Sequence, residues 1–141
     1  MSKIRGGCLC GAVRYEGEAE PVFSAKCYCT DCRKTSGAGH AAHMAFPKSA
    51  VKIDGPVKTY VSKADSGNDV TRGFCPTCGA GIYSHNAAMP DVLFLRASTL
   101  DDINVFQPQV IVYASRAPNW DPVNEGLPAF ATVPPRKQAT I

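Results

Sequence analysis

Three thiols fall within six residues, at Cys27-Tyr28-Cys29-Thr30-Asp31-Cys32. This C-x-C-x-x-C spacing lets a single loop turn three donors toward one ion. Zinc binds thiolate sulfur at about 2.3 Å and takes four ligands as a tetrahedron. Three protein donors leave one position open, and an open position separates a catalytic zinc from a structural one.

Four cysteines remain, in two pairs. Cys8-x-Cys10 is bracketed by Gly6-Gly7 and Gly11, which let the backbone curl so that neighbouring sulfurs face one point. Cys75-Pro76-Thr77-Cys78-Gly79 reads as a zinc knuckle, with a glycine that tolerates positive φ after the second sulfur. Together Cys8, Cys10, Cys75 and Cys78 would complete a closed structural site, which ties the first strand to a distant hairpin. Such a cross-link is part of the folding free energy. A partition that moves Cys27 or Cys29 into that site would break the compact triple and leave fewer than three donors for chemistry.

Composition supports metal over disulfides. The N-terminus, Met1 to Gly7, lacks the apolar core of a signal peptide, and no apolar run approaches the roughly 18 residues of a membrane span. A cytoplasmic location is therefore expected, where thiols stay reduced and clustered cysteines bind metal or do chemistry. Seven cysteines, an odd number, divide as four plus three. Seven thiolates and two zinc ions would also bring the formal charge of +3 to about zero. Lysines and arginines form no run beyond the pairs Arg33-Lys34 and Arg136-Lys137, so no nucleic-acid surface is read from the charge.

The chain, 141 residues long, reads as one domain over 1–141. Eleven prolines and twelve glycines favour turns and short strands. Strands are expected at 12–16, 21–26, 40–46, 48–54, 57–63, 70–74, 81–84, 92–97 and 109–113, with 92–97 apolar enough to be central. A helical turn followed by a glycine-rich bend is expected over 33–39. From Ser115 the composition changes to Pro, Asn, Asp and Gly. The segment 115–141 is expected as an irregular tail packed on the sheet, with Trp120 at least partly buried. On a strand over 40–46, His40 and His43 point to opposite faces, so H-x-x-H chelates poorly there.

Three thiolates on zinc carry a net charge of about −1, which makes a weaker Lewis acid than histidine-ligated zinc. The open position instead suits a soft ligand, and a substrate thiol held there would stay a nucleophilic thiolate. The chemistry expected is addition of a thiolate to a carbonyl carbon, or the reverse C–S cleavage. The alternative at this point is a site closed by His40, His43, His85, Asp31 or water.

The segments G-G-C-L-C-G-A-V-R-Y, C-Y-C-T-D-C-R-K-T-S-G and F-C-P-T-C-G-A resemble the glutathione-dependent formaldehyde-activating enzyme family, which includes centromere protein V. The resemblance extends to Thr99-Leu100-Asp101 and to Ser115-Arg116-Ala117-Pro118-Asn119-Trp120. It implies a mainly β fold of the β-tent type, with small antiparallel sheets around two zinc ions. It implies a structural zinc on Cys8, Cys10, Cys75 and Cys78, and a catalytic zinc on Cys27, Cys29 and Cys32. The implied activity is that of a carbon–sulfur lyase, condensing formaldehyde with glutathione to S-hydroxymethylglutathione. The implied partner is a small-molecule thiol; from the composition no membrane is expected and nucleic acid is disfavoured, and pairing of two copies is left open. Arg33, Lys34 and Arg72 are candidates for the carboxylates of glutathione, and His40 and His43 stand out as local departures. The competing readings are a non-enzymatic zinc module for protein or nucleic acid, and a redox switch in which the triple loses zinc to a disulfide.

Overall fold

The computed structural model describes residues 3–124 and 126–134. Ten strands form two sheets. The smaller sheet joins β1 (Lys3–Gly7), β2 (Arg14–Glu18) and β5 (Val51–Asp54) in the order β1-β2-β5, all antiparallel. The larger holds β3 (Phe23–Cys27), β4 (Ala41–Pro47), β6 (Lys58–Lys63), β7 (Asp69–Phe74), β8 (Gly81–Asn86), β9 (Val92–Arg96) and β10 (Val110–Val112). Its order is β10-β3-β4-β9-β8-β7-β6, which puts the apolar β9 at the centre, as its sequence leads one to expect. Pairing is antiparallel except between β10 and β3, which run parallel.

The two faces of the larger sheet differ, and the period-two alternation of each strand sets that difference. One face carries Met44, Phe46, Ile82, Leu93 and Leu95, which pack with Ile4, Val13 and Tyr15 of the smaller sheet region into the main core. The opposite face carries Cys27, His43 and Arg96, with Ala41 beside them. His43 and Arg96 are register partners across β4 and β9. One helix, α1 (Thr30–Ser36), lies against this second face. It reaches β4 through Cys32 and His43, β9 through Thr35 and Arg96, and β7 through Asp31 and Arg72. Arg116, in the turn after β10, bonds Asp65 in the β6–β7 hairpin at 2.6 Å. That pair links the two ends of the strand order, so the sheet curls around α1.

Local structure departs from the sequence reading in several places, the first being a strand at Lys3–Gly7 where none is expected. The strand expected from Ala12 begins at Arg14, because Ala12 and Val13 belong to the turn that closes on Cys8. The strand expected from Lys48 begins at Val51, after a 3₁₀ turn over Lys48–Ala50 whose first N–H bonds Asp91 O at 2.8 Å. The helix starts inside the cysteine triple rather than after it. Trp120 is 67% exposed, so the expected burial is wrong. The tail is held through its backbone and through its neighbour Asp121, which leaves the indole outside.

The described part of the tail runs along the free edge of β10. Ile111 N–H bonds Pro128 O and Phe130 N–H bonds Ile111 O, each at 2.9 Å, and Tyr113 N–H bonds Thr132 O at 2.7 Å. Residues 128–132 lengthen the sheet edge, while Asp121 and Pro122 reach His40 and Tyr28. The remainder of the expected tail, 135–141 with Arg136-Lys137, and the first two residues lie outside the described residues. No helix among the described residues is long and apolar enough to cross a membrane.

These positions make a paired stability test. Phe46 is fully buried between the sheets. Phe46→Ala is expected to cost about 3–5 kcal/mol in urea unfolding. Trp120→Ala is expected to stay within about 0.5 kcal/mol of the parent, as surface substitutions do. A comparable loss in both would place the indole in the core.

Candidate metal centre

All seven cysteines are free thiols, and they gather into the two groups that the spacing suggested. The sulfurs of Cys8, Cys10, Cys75 and Cys78 lie within 4.8 Å of one another, and so do those of Cys27, Cys29 and Cys32. A tetrahedron with zinc–sulfur bonds of 2.3 Å has sulfur–sulfur edges of about 3.8 Å. The Cys8–Cys10 and Cys10–Cys75 separations are 3.6 and 3.7 Å. Both are far longer than the roughly 2.05 Å of a disulfide. The donor set therefore fits zinc.

The knuckle is shaped by its backbone. Gly79 adopts φ +78° and its N–H returns to Cys75 O at 2.8 Å, while Cys75 N–H bonds Ala80 O at 3.0 Å. The Ala80 N–H then helps lower the Cys78 thiol to about 6. On the other arm, Val13 N–H donates to Cys8 Sγ at 3.2 Å and lowers that thiol too. Amides aimed at sulfur favour the thiolate, which is the form that binds metal.

The three-cysteine group spans a strand and a helix. Cys27 ends β3, Cys29 caps α1 and Cys32 lies in its first turn. Cys29 Sγ accepts from Cys32 N–H at 3.2 Å, as a serine or aspartate cap would. Hydrogen bonds from the Cys27 and Cys32 thiols lower Cys29 to about 2, and the same sharing pushes Cys27 up to about 12 and Cys32 higher still. The sharing favours the thiolate at Cys29 and the thiol at Cys27 and Cys32 in the absence of a cation.

Around these sulfurs stand several of the groups that the sequence offered for a fourth ligand. His43 is buried, with Nε2 3.4 Å from Cys32 Sγ. Burial, and then Arg96 nearby, lower its imidazole to about 3, so it stays neutral. Once a cation displaces the Cys32 proton the sulfur can only accept, and Nε2–H would then be the donor to it. Nδ1 is buried with no partner among the described residues. No histidine nitrogen and no Asp31 oxygen joins the three sulfurs within 4.8 Å of one another, so none of these side chains closes the set. His85 bonds Pro90 O instead, at 2.9 Å. His40 pairs through Nδ1 with Asp121 at 2.6 Å, and Tyr28 supports the same segment by donating to Pro122 O at 3.1 Å. Gly39 makes that approach feasible, since a Cβ there would overlap the Asp121 carboxylate.

Arginines surround the group. Arg72 lies 3.9 Å from Asp31, and Arg116 stacks over the Tyr113 ring at 5.0 Å. Tyr113 packs against the sulfurs and is the one described non-glycine residue with positive φ, at 54°. Such backbone strain collects at functional sites. Arg96 is buried behind Cys32. Of the three sequence candidates for an anion, only Arg72 is tied to a residue of the cysteine loop. Arg33 and Lys34 fall in the last turn of α1, with Lys34 exposed.

Residues 3–116 match the family described as glutathione-dependent formaldehyde-activating enzyme. The chain belongs to this family. The match takes in all seven cysteines and ends before Trp120 and Asp121. A Halomonas elongata protein, provisionally named as a glutathione-dependent formaldehyde-activating enzyme, is 27% identical over 123 residues, which cover 83% of this chain and 78% of that protein. The fold is similar to that of a Rhodobacter sphaeroides protein of known crystal structure. The TM-score is 0.57 at 18% identity, over 89% of this chain and 99% of the other.

The His43 contact has a measurable consequence. Removing a hydrogen bond to a metal ligand typically costs 10–100-fold in metal affinity. His43→Phe is expected to lower the affinity of one of the two sites by about that factor in a competitive chelator titration, and to leave the other unchanged. Equal weakening of both sites would point to a general loss of structure.

Proposed function

We propose that this protein is a zinc-dependent enzyme of the carbon–sulfur lyase type, acting on glutathione or another small-thiol adduct. The observation that carries the reading is the asymmetry of the two sulfur groups. Four sulfurs complete a tetrahedron by themselves, and three leave one corner without a protein donor. On this reading Cys8, Cys10, Cys75 and Cys78 hold the structural zinc, in a β-tent domain that spans 1–141. Cys27, Cys29 and Cys32 hold the catalytic zinc. Bound there, zinc would supply a position that keeps a substrate thiol in its thiolate form.

The residues of the chain divide the remaining work. The Nε2–H of His43 draws charge from Cys32 and fixes that ligand's orientation. Arg72 and Arg116 offset the negative charge of three thiolates and of a fourth from substrate. The reaction itself is redox-neutral. The thiol sulfur forms a C–S bond to the carbonyl carbon, the C=O π pair moves to oxygen, and the thiol proton ends on that oxygen. The reverse direction breaks the same C–S bond and returns the proton to sulfur. Seven free thiols also suit a reducing, cytoplasmic setting.

Two cysteine variants test the division of roles. Cys29→Ser is expected to lose one zinc per chain by elemental analysis, to keep its fold by circular dichroism, and to lose catalysis of formaldehyde–glutathione exchange by NMR. Cys75→Ser is expected to fail to fold, because zinc binding there is part of the folding free energy. Equal disruption by the two substitutions would refute the assignment of roles.

A further inference from the structure

A cavity of about 690 Å³ lies between the Cys8 turn and α1. Cys8 and Leu9, Thr35 of α1, His40, Gly81 and Arg96 contribute to its walls. Ala41 also lines it, and the same residue packs against Cys27 and Cys32. Ala41 thus stands between the cavity and Cys27 and Cys32, which do not themselves line it. The cavity's volume is in the range of small-molecule sites.

The wall contains a cation in need of a partner. Arg96 is only 6% exposed and makes no ion pair among the described residues. Its Nη2 donates to Thr35 Oγ1 at 2.7 Å, and Nε is buried with no acceptor. The Thr35 hydroxyl has already given its proton to Asp31 O at 2.7 Å, so toward Arg96 it can only accept. Guanidinium carries five N–H donors in a planar fork. Leaving such donors buried and unmatched is costly, and a carboxylate matches two of them at once. Space for that carboxylate lies beside Nη1. A Cβ built on Gly81 would come no closer than 4.0 Å to Nη1 and would meet nothing nearer, so the bare glycine leaves this side open. Arg72, by contrast, already has Ser62 and Asp31 as partners.

We propose that Arg96 binds a carboxylate of the substrate within this cavity, while the substrate's sulfur lies at the three-cysteine group. The proposal rests on the thiol reading above and adds the anchor that would select a carboxylate-bearing thiol. Thr35 holds one edge of the guanidinium, and the free edge faces the ligand. Arg96 is then a specificity residue, which bonds the end of the substrate remote from the reacting sulfur.

Three ligands separate the two halves of the site by calorimetric titration of the zinc-loaded protein. Glutathione carries both thiol and carboxylates. S-methylglutathione keeps the carboxylates and lacks the free thiol. 2-Mercaptoethanol keeps the thiol and lacks a carboxylate. Arg96→Gln is expected to weaken glutathione and S-methylglutathione by roughly 10–100-fold, the range for a hydrogen bond to a charged group, and to leave 2-mercaptoethanol unchanged. Gly81→Val, which fills the space beside Nη1 without altering a charge, is expected to give the same selective loss. It carries the test alone if Arg96→Gln does not fold. Loss of all three ligands alike in Gly81→Val, or of none, overturns the proposal. Absence of 2-mercaptoethanol binding to the parent protein, with S-methylglutathione still dependent on Arg96, would overturn the thiol reading and keep the carboxylate site.

Discussion

Four sulfurs from two turns sixty-five residues apart share a space the size of one zinc tetrahedron. Much of the structure depends on that convergence. It joins the turn between β1 and β2 to the turn between β7 and β8, and so holds the smaller sheet against the larger. The apolar face of the larger sheet is buried in that contact. The opposite face is thereby free to carry polar side chains, and a second set of sulfurs is built there.

That second face sets up an electrostatic arrangement. Thiolates, a buried neutral imidazole and three arginines occupy one region beneath a short helix. Burying one sign of charge alone would be costly, and the mixture keeps the cost down. The same mixture limits what can bind. A soft anionic donor suits the corner that the protein leaves open, and a carboxylate suits the unmatched edge of Arg96. Free thiols of amino acids and peptides join these two groups in one molecule.

How much of this was legible in the sequence depended on how local each feature is. Cysteine spacing is local, and both sulfur groups form as the intervals suggest. The apolar content of β9 is local as well and agrees with its central place, whereas His40 precedes β4, so strand alternation does not set its direction. Cys29 as a helix cap was hidden, because a cysteine in that role has no strong sequence signature beside Ser, Thr, Asp or Asn. The juxtaposition of His43 and Arg96 was hidden for a different reason. Each lies in a strand of otherwise small or apolar residues, and only the register between β4 and β9 brings them together under α1. Trp120 was misjudged because its burial followed from a tail expected to lie over the sheet, whereas backbone bonds and the Asp121–His40 pair hold that segment and leave the indole exposed.

The central claim is that the two sulfur groups differ in one respect, an open corner at Cys27, Cys29 and Cys32. Cadmium-113 NMR of protein loaded with that metal reads the ligands at each site separately. The account requires two resonances, of which one moves when glutathione is added and the other stays fixed. The moving resonance must be the one that Cys29→Ser abolishes. Two resonances that both ignore saturating glutathione would contradict the account, since each site would then already hold its full set of ligands.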